Sequence, residues 1–387
     1  MIGGMGNAAA VGVLALILAT QSVQASRCSS SQPNPAPGPA PAPSPAPTPS
    51  GDVFVTSDGV RFRVETVAGS LSIPWAMQFA PDGRLFVTER AGRVRIVNIG
   101  TAASQLALTL ADVFAQGEAG GLGIALDPSF VQNRFVYVYY TAALASGGGV
   151  NRIVRFREVN GMLGERAVLV DNIPAAQIHD GGRLRFGPDG LLYASNGDAA
   201  NMNLPQDLAS LAGKIIRINP DGTSPRDNPF GGLIYSYGHR NPQGFDWHPV
   251  TGDMWASEHG PTGNDEINVI RPGVNYGWPR IEGGAAMAGM ETPIMFFTPA
   301  IAPSGASFYR GSRFPAFVNN FFVATLRGEH IRRFRIDPTS PGRIAADERL
   351  LDGVFGRIRD VVSGPDGYLY FLTNTGTDRV LRMVPAS

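Results

Sequence analysis

The sequence predicts an all-β chain folded as a six-bladed β-propeller of four-stranded antiparallel blades, and three observations predict it. One phrase recurs six times: a Pro or Asp turn, then Gly or Asn, then a short run of β-branched and aromatic residues. Its copies lie about 45 to 70 residues apart, the size of a propeller blade. The 48 glycines and 31 prolines, with no sustained helical period between the copies, leave little room for long helices. A pair of β-sandwiches is the competing architecture.

The copies are PDGRLFVTER from Pro81, DPSFVQNRFVYVYY from Asp127, GPDGLLYASNGD from Gly187, HPVTGDMWASEHG from His248, PAFVNNFFVATLRG from Pro315 and GPDGYLYFLTN from Gly364. Asp-Gly and Asn-Asn are turn signals between antiparallel strands. Many copies lead into another strand, as in GRVRIVNI at Gly92 and GKIIRINP at Gly213. The N-terminal VRFRVETV from Val60 and the C-terminal RVLRMVP from Arg379 also read as strands; sharing one blade, they would close the ring and remove its sheet edges.

Ahead of this domain, Ala8 to Thr20 is an apolar run of signal-peptide length, and Val23-Gln24-Ala25 fits a small-x-small cleavage site. Residues 1–25 therefore read as a signal peptide and 26–51 as a Pro/Ala-rich linker favouring extended polyproline II. Residues 52–387 form the globular domain. The expected location is periplasmic or secreted. Cys28 raises the alternative of a lipid anchor, against which Arg27 stands where a small residue is expected. As the sole cysteine, Cys28 permits no internal disulfide. The net charge is +0 with no basic run, so nothing suggests a nucleic-acid partner. Of the 32 basic residues only Lys214 is lysine. Arginine is the better fork for carboxylates.

Loops between blades are where chemistry is expected. His179, in QIHDGGRLRFGPDG, precedes a blade strand and is followed by a Gly pair that lets backbone approach a ligand. It reads as a functional histidine or as a solvated loop residue. His239 lies in the polar loop YGHRNPQG, His248 at a structural turn, His259 beside acids and His330 on a surface. Glu258, Asp265 and Glu266, with Asn264 and Asn268, form an oxygen-rich Gly/Pro loop that suits Ca²⁺ or is a plain acidic turn. Zinc is not suggested, because there is no Cys set and no HExxH. GEAGGLGIAL from Gly117 lacks dinucleotide-loop spacing. No GxSxG is present, and no Ser/His/Asp arrangement can be singled out. Arg357 and Arg359 stand at i and i+2, on one strand face. Two such cations near a propeller axis would repel unless an anion sits there.

Together IPWAMQFAPDG, GEAGGLGIALDPSF, IHDGGRLRFGPDG, QDLASLAGKIIRINPDGTSPRDNPF, YSYGHRNPQGFDWHP, SEHGPTGNDEINVIRPGVNYGWP and GRIRDVVSGPDGYLY resemble the aldose sugar dehydrogenases that depend on pyrroloquinoline quinone (PQQ). This is the family of soluble glucose and sorbosone dehydrogenases. The resemblance runs from about Ile73 to Met383. It implies a six-bladed propeller with His179 as general base. It implies that Arg240 and Asn241 contact the quinone, that Arg357 and Arg359 are the family's paired arginines, and that Glu118 lies near the cofactor where some members have glutamine. The backbone carbonyls of Gly260 and Pro261 would hold a catalytic Ca²⁺, and Glu266 and Tyr276 would bind a second, structural one. Arg327 stands where lysine is usual and would contact the cofactor with the same positive charge, Ile178 stands where several members have Asp, and the segment after Tyr276 is short and aromatic-poor. Substrate choice is therefore open.

The implied reaction is oxidation of an aldose at its anomeric carbon to the lactone, with PQQ and Ca²⁺, the electrons passing to an acceptor the sequence does not name. A calcium-dependent lactonase-like hydrolase and a non-catalytic binding propeller are the alternatives, since one fold hosts many functions.

Overall fold

The computed structural model describes residues 51–386. The expected signal peptide, cleavage site, Cys28 and nearly all of the linker lie outside them. Six antiparallel sheets follow one another along the chain. Blade 1 is Pro74–Phe79, Leu85–Glu89, Arg93–Val97 and Ser104–Thr109; blade 2 is Gly121–Leu126, Phe135–Ala143, Gly149–Val159 and Met162–Pro174. Blade 3 is Leu184–Phe186, Leu192–Asn196, Lys214–Ile218 and Ile234–Tyr237; blade 4 is Pro242–Trp247, Met254–Glu258, Asp265–Ile270 and Met295–Phe297. Blade 5 is Pro303–Phe308, Phe321–Thr325, Ile331–Ile336 and Ile344–Leu350. Blade 6 takes Ile358–Ser363, Leu369–Thr373 and Asp378–Pro385 from the C-terminus and Arg61–Leu71 from the N-terminus.

The ring closes as the sequence predicts: Phe62 pairs with Pro385 and Leu71 with Asp378 across the two chain ends. The sixth sheet is not four-stranded, however, because Phe54–Val55 adds a fifth strand at its outer edge, Phe54 opposite Phe62. Each of the six sequence phrases forms the turn from a blade's first strand into its second. In blade 2 that connection is one helical turn, Phe130–Asn133, and in blade 5 a short 3-10 turn, Pro315–Phe317.

The first strand of each blade lines the axis. Pro74–Phe79 meets Gly121–Leu126, which meets Leu184–Phe186; Pro242–Trp247 meets Pro303–Phe308, which meets Ile358–Ser363, which returns to Pro74–Phe79. Residues 121–126, 242–247 and 303–308 are buried throughout. A strand with blades on both sides and the axis beside it has no solvent face, so polar–apolar alternation vanishes there. Antiparallel order places two sets of loops on one face: those leading from one blade into the next, and those joining second to third strands. Glu118, His179, Arg240, Asn241, Gly260, Pro261, Arg327 and Arg357 all fall in these loops. The six sequence phrases turn at the opposite face.

Candidate active site at the entry face

His179 is held in an unusual backbone state. Its φ is 64°, followed by left-handed Gly181 and Gly182. A non-glycine residue there needs support from its surroundings. The His179 N–H donates to Glu118 Oε2 at 3.0 Å, and its carbonyl accepts from Ala199 N–H at 3.2 Å. Gly197 must be glycine, since a Cβ there would strike the His179 carbonyl. The imidazole Nδ1 lies 2.8 Å from Asp198 Oδ1, and Asp198 is 1% exposed. A buried carboxylate at that nitrogen keeps Nδ1 protonated and leaves Nε2 as acceptor.

Glu118 ties this loop to blade 4, because the Asn241 amide donates to the same Oε2 at 3.4 Å, while Asn241 Oδ1 accepts from Gly181 N–H at 3.0 Å. Arg240 Nη1 donates to the carbonyls of His259 at 3.1 Å and Gly260 at 2.7 Å. Its backbone N–H donates to Glu258. Arg359 Nη1 donates to Gln243 Oε1 at 3.0 Å and Ser304 Oγ at 3.4 Å. Below it, Arg183 pairs with Asp360 at 3.1 Å, and the guanidinium carbon of each arginine lies near the Trp75 ring, at 4.5 Å for Arg183 and 5.9 Å for Arg359. Gly305 makes room for this pair, as a Cβ there would collide with Asp360.

Burial, Arg357 and Arg183 push Arg359 down to about 9, although Glu118 and Asp360 pull the other way. Burial also lowers Arg240, opposed by nearby carboxylates. Arg240 Nε, Arg359 Nε and His259 Nε2 are buried without partners. Burial lowers His259, so the charge here belongs to the two arginines, whose unpartnered guanidinium donors fit a planar polycarboxylate such as PQQ through charge-assisted bonds.

A small cavity beside Arg240 is lined by Glu258, Gly260, Pro261, Asn264, Glu266 and Tyr276. Glu258 and Glu266 face each other across neighbouring strands. Burial and Glu258 raise Glu266 to about 8. Among the described residues, no trio of His, Cys, Asp or Glu is placed to hold a metal alone. The fit to Ca²⁺ therefore rests on two opposed carboxylates plus carbonyl oxygens, among them the buried, unpartnered Asn268 Oδ1. The Tyr276 hydroxyl donates to the Val269 carbonyl at 2.7 Å and accepts from Arg271 N–H, so Tyr276 would offer its backbone carbonyl.

Two expectations need correction, the shared strand face of Arg357 and Arg359 and the surface position of His330. Arg357 and Arg359 do not share a strand face: Arg357 is exposed and precedes a strand that begins at Ile358, and a register shift falls between Ile358 and Asp360. Charge proximity links them instead. Arg327, which the resemblance puts at the cofactor, is exposed in an entry-face loop, donates its backbone N–H to Ile301 O at 3.1 Å, and lines a depression with Thr298, Pro299 and His330. No hydrogen bond joins it to the other site residues. His330 is not on the surface but 1% exposed, its Nδ1 2.6 Å from the Gly328 carbonyl. Asp180, beside His179 in sequence, turns away: it accepts from Asn151 at 3.0 Å and Ala176 N–H at 3.2 Å.

Sequence reasoning missed Asp198 and Trp278. Asp198 ends the quoted phrase GPDGLLYASNGD, just past the second strand of the blade that His179 enters, at the entry face. Also unforeseen is Ser236 Oγ at 2.8 Å from His239 Nε2, with His239 Nδ1 at 2.9 Å from Glu258. That is the bonding order of a nucleophile triad, but Ser236 and His239 are fully buried, so no substrate reaches the serine.

Residues 71–382 match the glucose/sorbosone dehydrogenase family. The chain belongs to that family. It is 32% identical over 354 residues to aldose sugar dehydrogenase YliI of Escherichia coli, covering 83% of this chain and 92% of that protein. It is 28% identical over 419 residues to quinoprotein glucose dehydrogenase B of Acinetobacter calcoaceticus, covering 83% and 87% of the two chains. The structure of the PQQ-bound aldose sugar dehydrogenase from Streptomyces coelicolor superposes with TM-score 0.76 at 35% identity, over 84% of this chain and 98% of that one.

Proposed function

We propose that this family member is a PQQ- and calcium-dependent aldose dehydrogenase with His179 as its general base. The observation that carries the reading is the His179–Asp198 pair, set beside the incompletely partnered Arg240 and Arg359 at one mouth of the ring. The names of its relatives support the oxidoreductase class and the cofactor.

Arg240, Arg359 and Asn241 would bind and orient the cofactor, with Arg357 adding charge from the rim. Glu118 fixes the spacing between this cradle and the base. Gly260 and Pro261 carbonyls would hold the calcium at the cofactor, while Glu266 and Tyr276 would serve a structural ion. PQQ, when bound, supplies the two-electron acceptor that takes hydride from the anomeric carbon, leaving the lactone. His179 Nε2 takes the proton of the anomeric hydroxyl, and Asp198 steadies the imidazolium that results. The chain is further read as exported, with cleavage after Ala25, which N-terminal sequencing of the mature protein would check.

Dye-linked oxidation of an aldose panel by the apoprotein, with and without PQQ and Ca²⁺, tests the function. Turnover that needs both additions is expected. Sugar-independent behaviour, or lactone hydrolysis without PQQ, would replace this reading with the hydrolase.

A further inference from the structure

The segment that joins the third and fourth strands of blade 4, residues 271–294, returns to the entry face and carries Trp278 there, beside Arg240 and Gly260. Its backbone is anchored from behind: its N–H donates to the Gly238 carbonyl at 2.9 Å, and its carbonyl accepts from Gln206 Nε2 at 2.8 Å. The indole is partly exposed and points at two groups already described. Its Nε1–H donates to Asp198 Oδ2 at 2.9 Å. Asp198 Oδ1 is taken by His179 Nδ1 and by Ala200 N–H, both at 2.8 Å. Among the described residues the indole is thus the donor to the second oxygen of a carboxylate that is 1% exposed. The same ring lies 5.4 Å from the guanidinium carbon of Arg240. Asp198 and Arg240 are also joined through backbone, Asp198 N–H donating to the Arg240 carbonyl at 2.8 Å.

We propose that Trp278 is a positioning residue that couples the proton acceptor to the cofactor cradle: its N–H fixes Asp198 and through it the His179 imidazole, and its ring face seats the Arg240 guanidinium. Tryptophan combines a single strong N–H donor with the best cation-binding face of any side chain. Phenylalanine keeps a face and loses the donor; leucine loses both. A buried carboxylate oxygen stripped of its donor either rotates or draws in water. Either response releases the constraint that holds Nδ1 protonated and Nε2 free to accept.

The cradle half of this inference rests on the function proposed above, whereas the imidazole half does not. The test therefore uses one measurement that needs no cofactor. In the full-length apoprotein, ¹⁵N NMR of the His179 ring, assigned by its loss in His179→Ala, should report a single tautomer protonated at Nδ1. In Trp278→Phe it should report a mixture. Equilibrium dialysis of PQQ in the presence of Ca²⁺ should give Trp278→Phe an affinity within about twofold of the parent, the face being kept. Trp278→Leu should bind roughly 2- to 30-fold more weakly, the range for losing a cation–π contact. With saturating cofactor, both variants should lose about tenfold in kcat with little change in KM, the size of one lost hydrogen bond to a charged group. Thermal melts establish that the variants are folded; if Trp278→Leu is not, Trp278→Met takes its place.

A parent-like tautomer and kcat in Trp278→Phe would overturn the imidazole half. Equal PQQ affinity in parent, Phe and Leu proteins would overturn the cradle half. If the parent itself binds no PQQ, the proposed function and the cradle half both fall, and the tautomer comparison still decides the rest.

Discussion

The two mouths of the central channel hold similar charges in opposite states of completion. At the far mouth, where the first strands end, Asp246 is buried and accepts from Arg310 at 2.6 and 3.0 Å and from Phe308 N–H at 2.7 Å, with Arg185 at 3.2 Å. Burial pushes Asp246 up, but Arg185 and Arg310 outweigh it and hold the carboxyl below its ordinary value. At the entry mouth Arg240 and Arg359 bond only neutral oxygens, and each keeps a buried Nε without a partner. The larger cavity, about 930 Å³, lies at the far mouth, yet its Arg185 and Arg310 already have the Asp246 carboxylate. The candidate site is therefore placed by unfinished charge and not by cavity size.

The sharpest way to break that comparison is at the base. His179→Ala should lower turnover about 10²–10⁴-fold, or roughly 2.7–5.4 kcal/mol of barrier, while PQQ still binds. His239→Ala and His259→Ala serve as controls for fold and cradle. Parent-rate oxidation by the His179 variant would remove it from the chemistry. At the other mouth, Asp246→Asn breaks a buried pair and leaves Arg185 without its anion. A stability loss of about 3–5 kcal/mol is expected in denaturant unfolding, with PQQ affinity unchanged among molecules that remain folded. An affinity change as large as the stability change would mean the two mouths are not independent.

How far the sequence reaches follows the same division. Each far-mouth turn is local: Pro, Asp, Gly and Asn fix it within a few residues, so all six blades and the closing of the ring were legible. The entry mouth is assembled from loops remote in sequence. His179 was visible because glycines flank it, but Glu118 meets it across 61 positions and Trp278 meets Asp198 across 80. No spacing rule reports such contacts. The i, i+2 argument for Arg357 and Arg359 failed because a register shift intervenes, which periodicity cannot foresee. His330 was misjudged because the hydrogen-bond partner of its ring, the Gly328 carbonyl, is a backbone group with no signature of its own.

Arg359→Leu sharpens the comparison at the entry mouth. It should weaken PQQ binding by about 1.5–3 kcal/mol, a factor of roughly 10 to 150, read by equilibrium dialysis. The apoprotein should become more stable, not less. Arg359 is lowered to about 9 from its ordinary 12.5, so its charged form is disfavoured by folding. That penalty is complete below pH 9 and fades as pH rises above it, so the gain in melting temperature should be largest at neutral pH. A lower apoprotein melting temperature would show that Arg359 is a structural tie like Arg310.

The smallest expected effect concerns Asp180, which sits one residue from the base but faces inward. Burial raises it to about 7, with Glu118 adding to the rise and the donors Asn151 and Ala176 opposing it. Its Oδ2 is buried without a partner, so the neutral acid suits the site and the ionised form does not. Because the folded value is raised above the ordinary 3.8, the stability it contributes is complete below about pH 4 and is lost as pH rises through 7. Between pH 6 and 8 that loss is about 1.4 kcal/mol, the equivalent of one pKa unit. Asp180→Asn keeps the neutral shape and removes the titration, so its stability should lack this slope. In denaturant unfolding the variant should therefore already be the more stable of the two at pH 6, and its advantage should grow by about 1.4 kcal/mol at pH 8. Parallel pH profiles would mean that Asp180 is already ionised and solvated in the folded protein, and that incomplete partnering below the base carries no energetic weight.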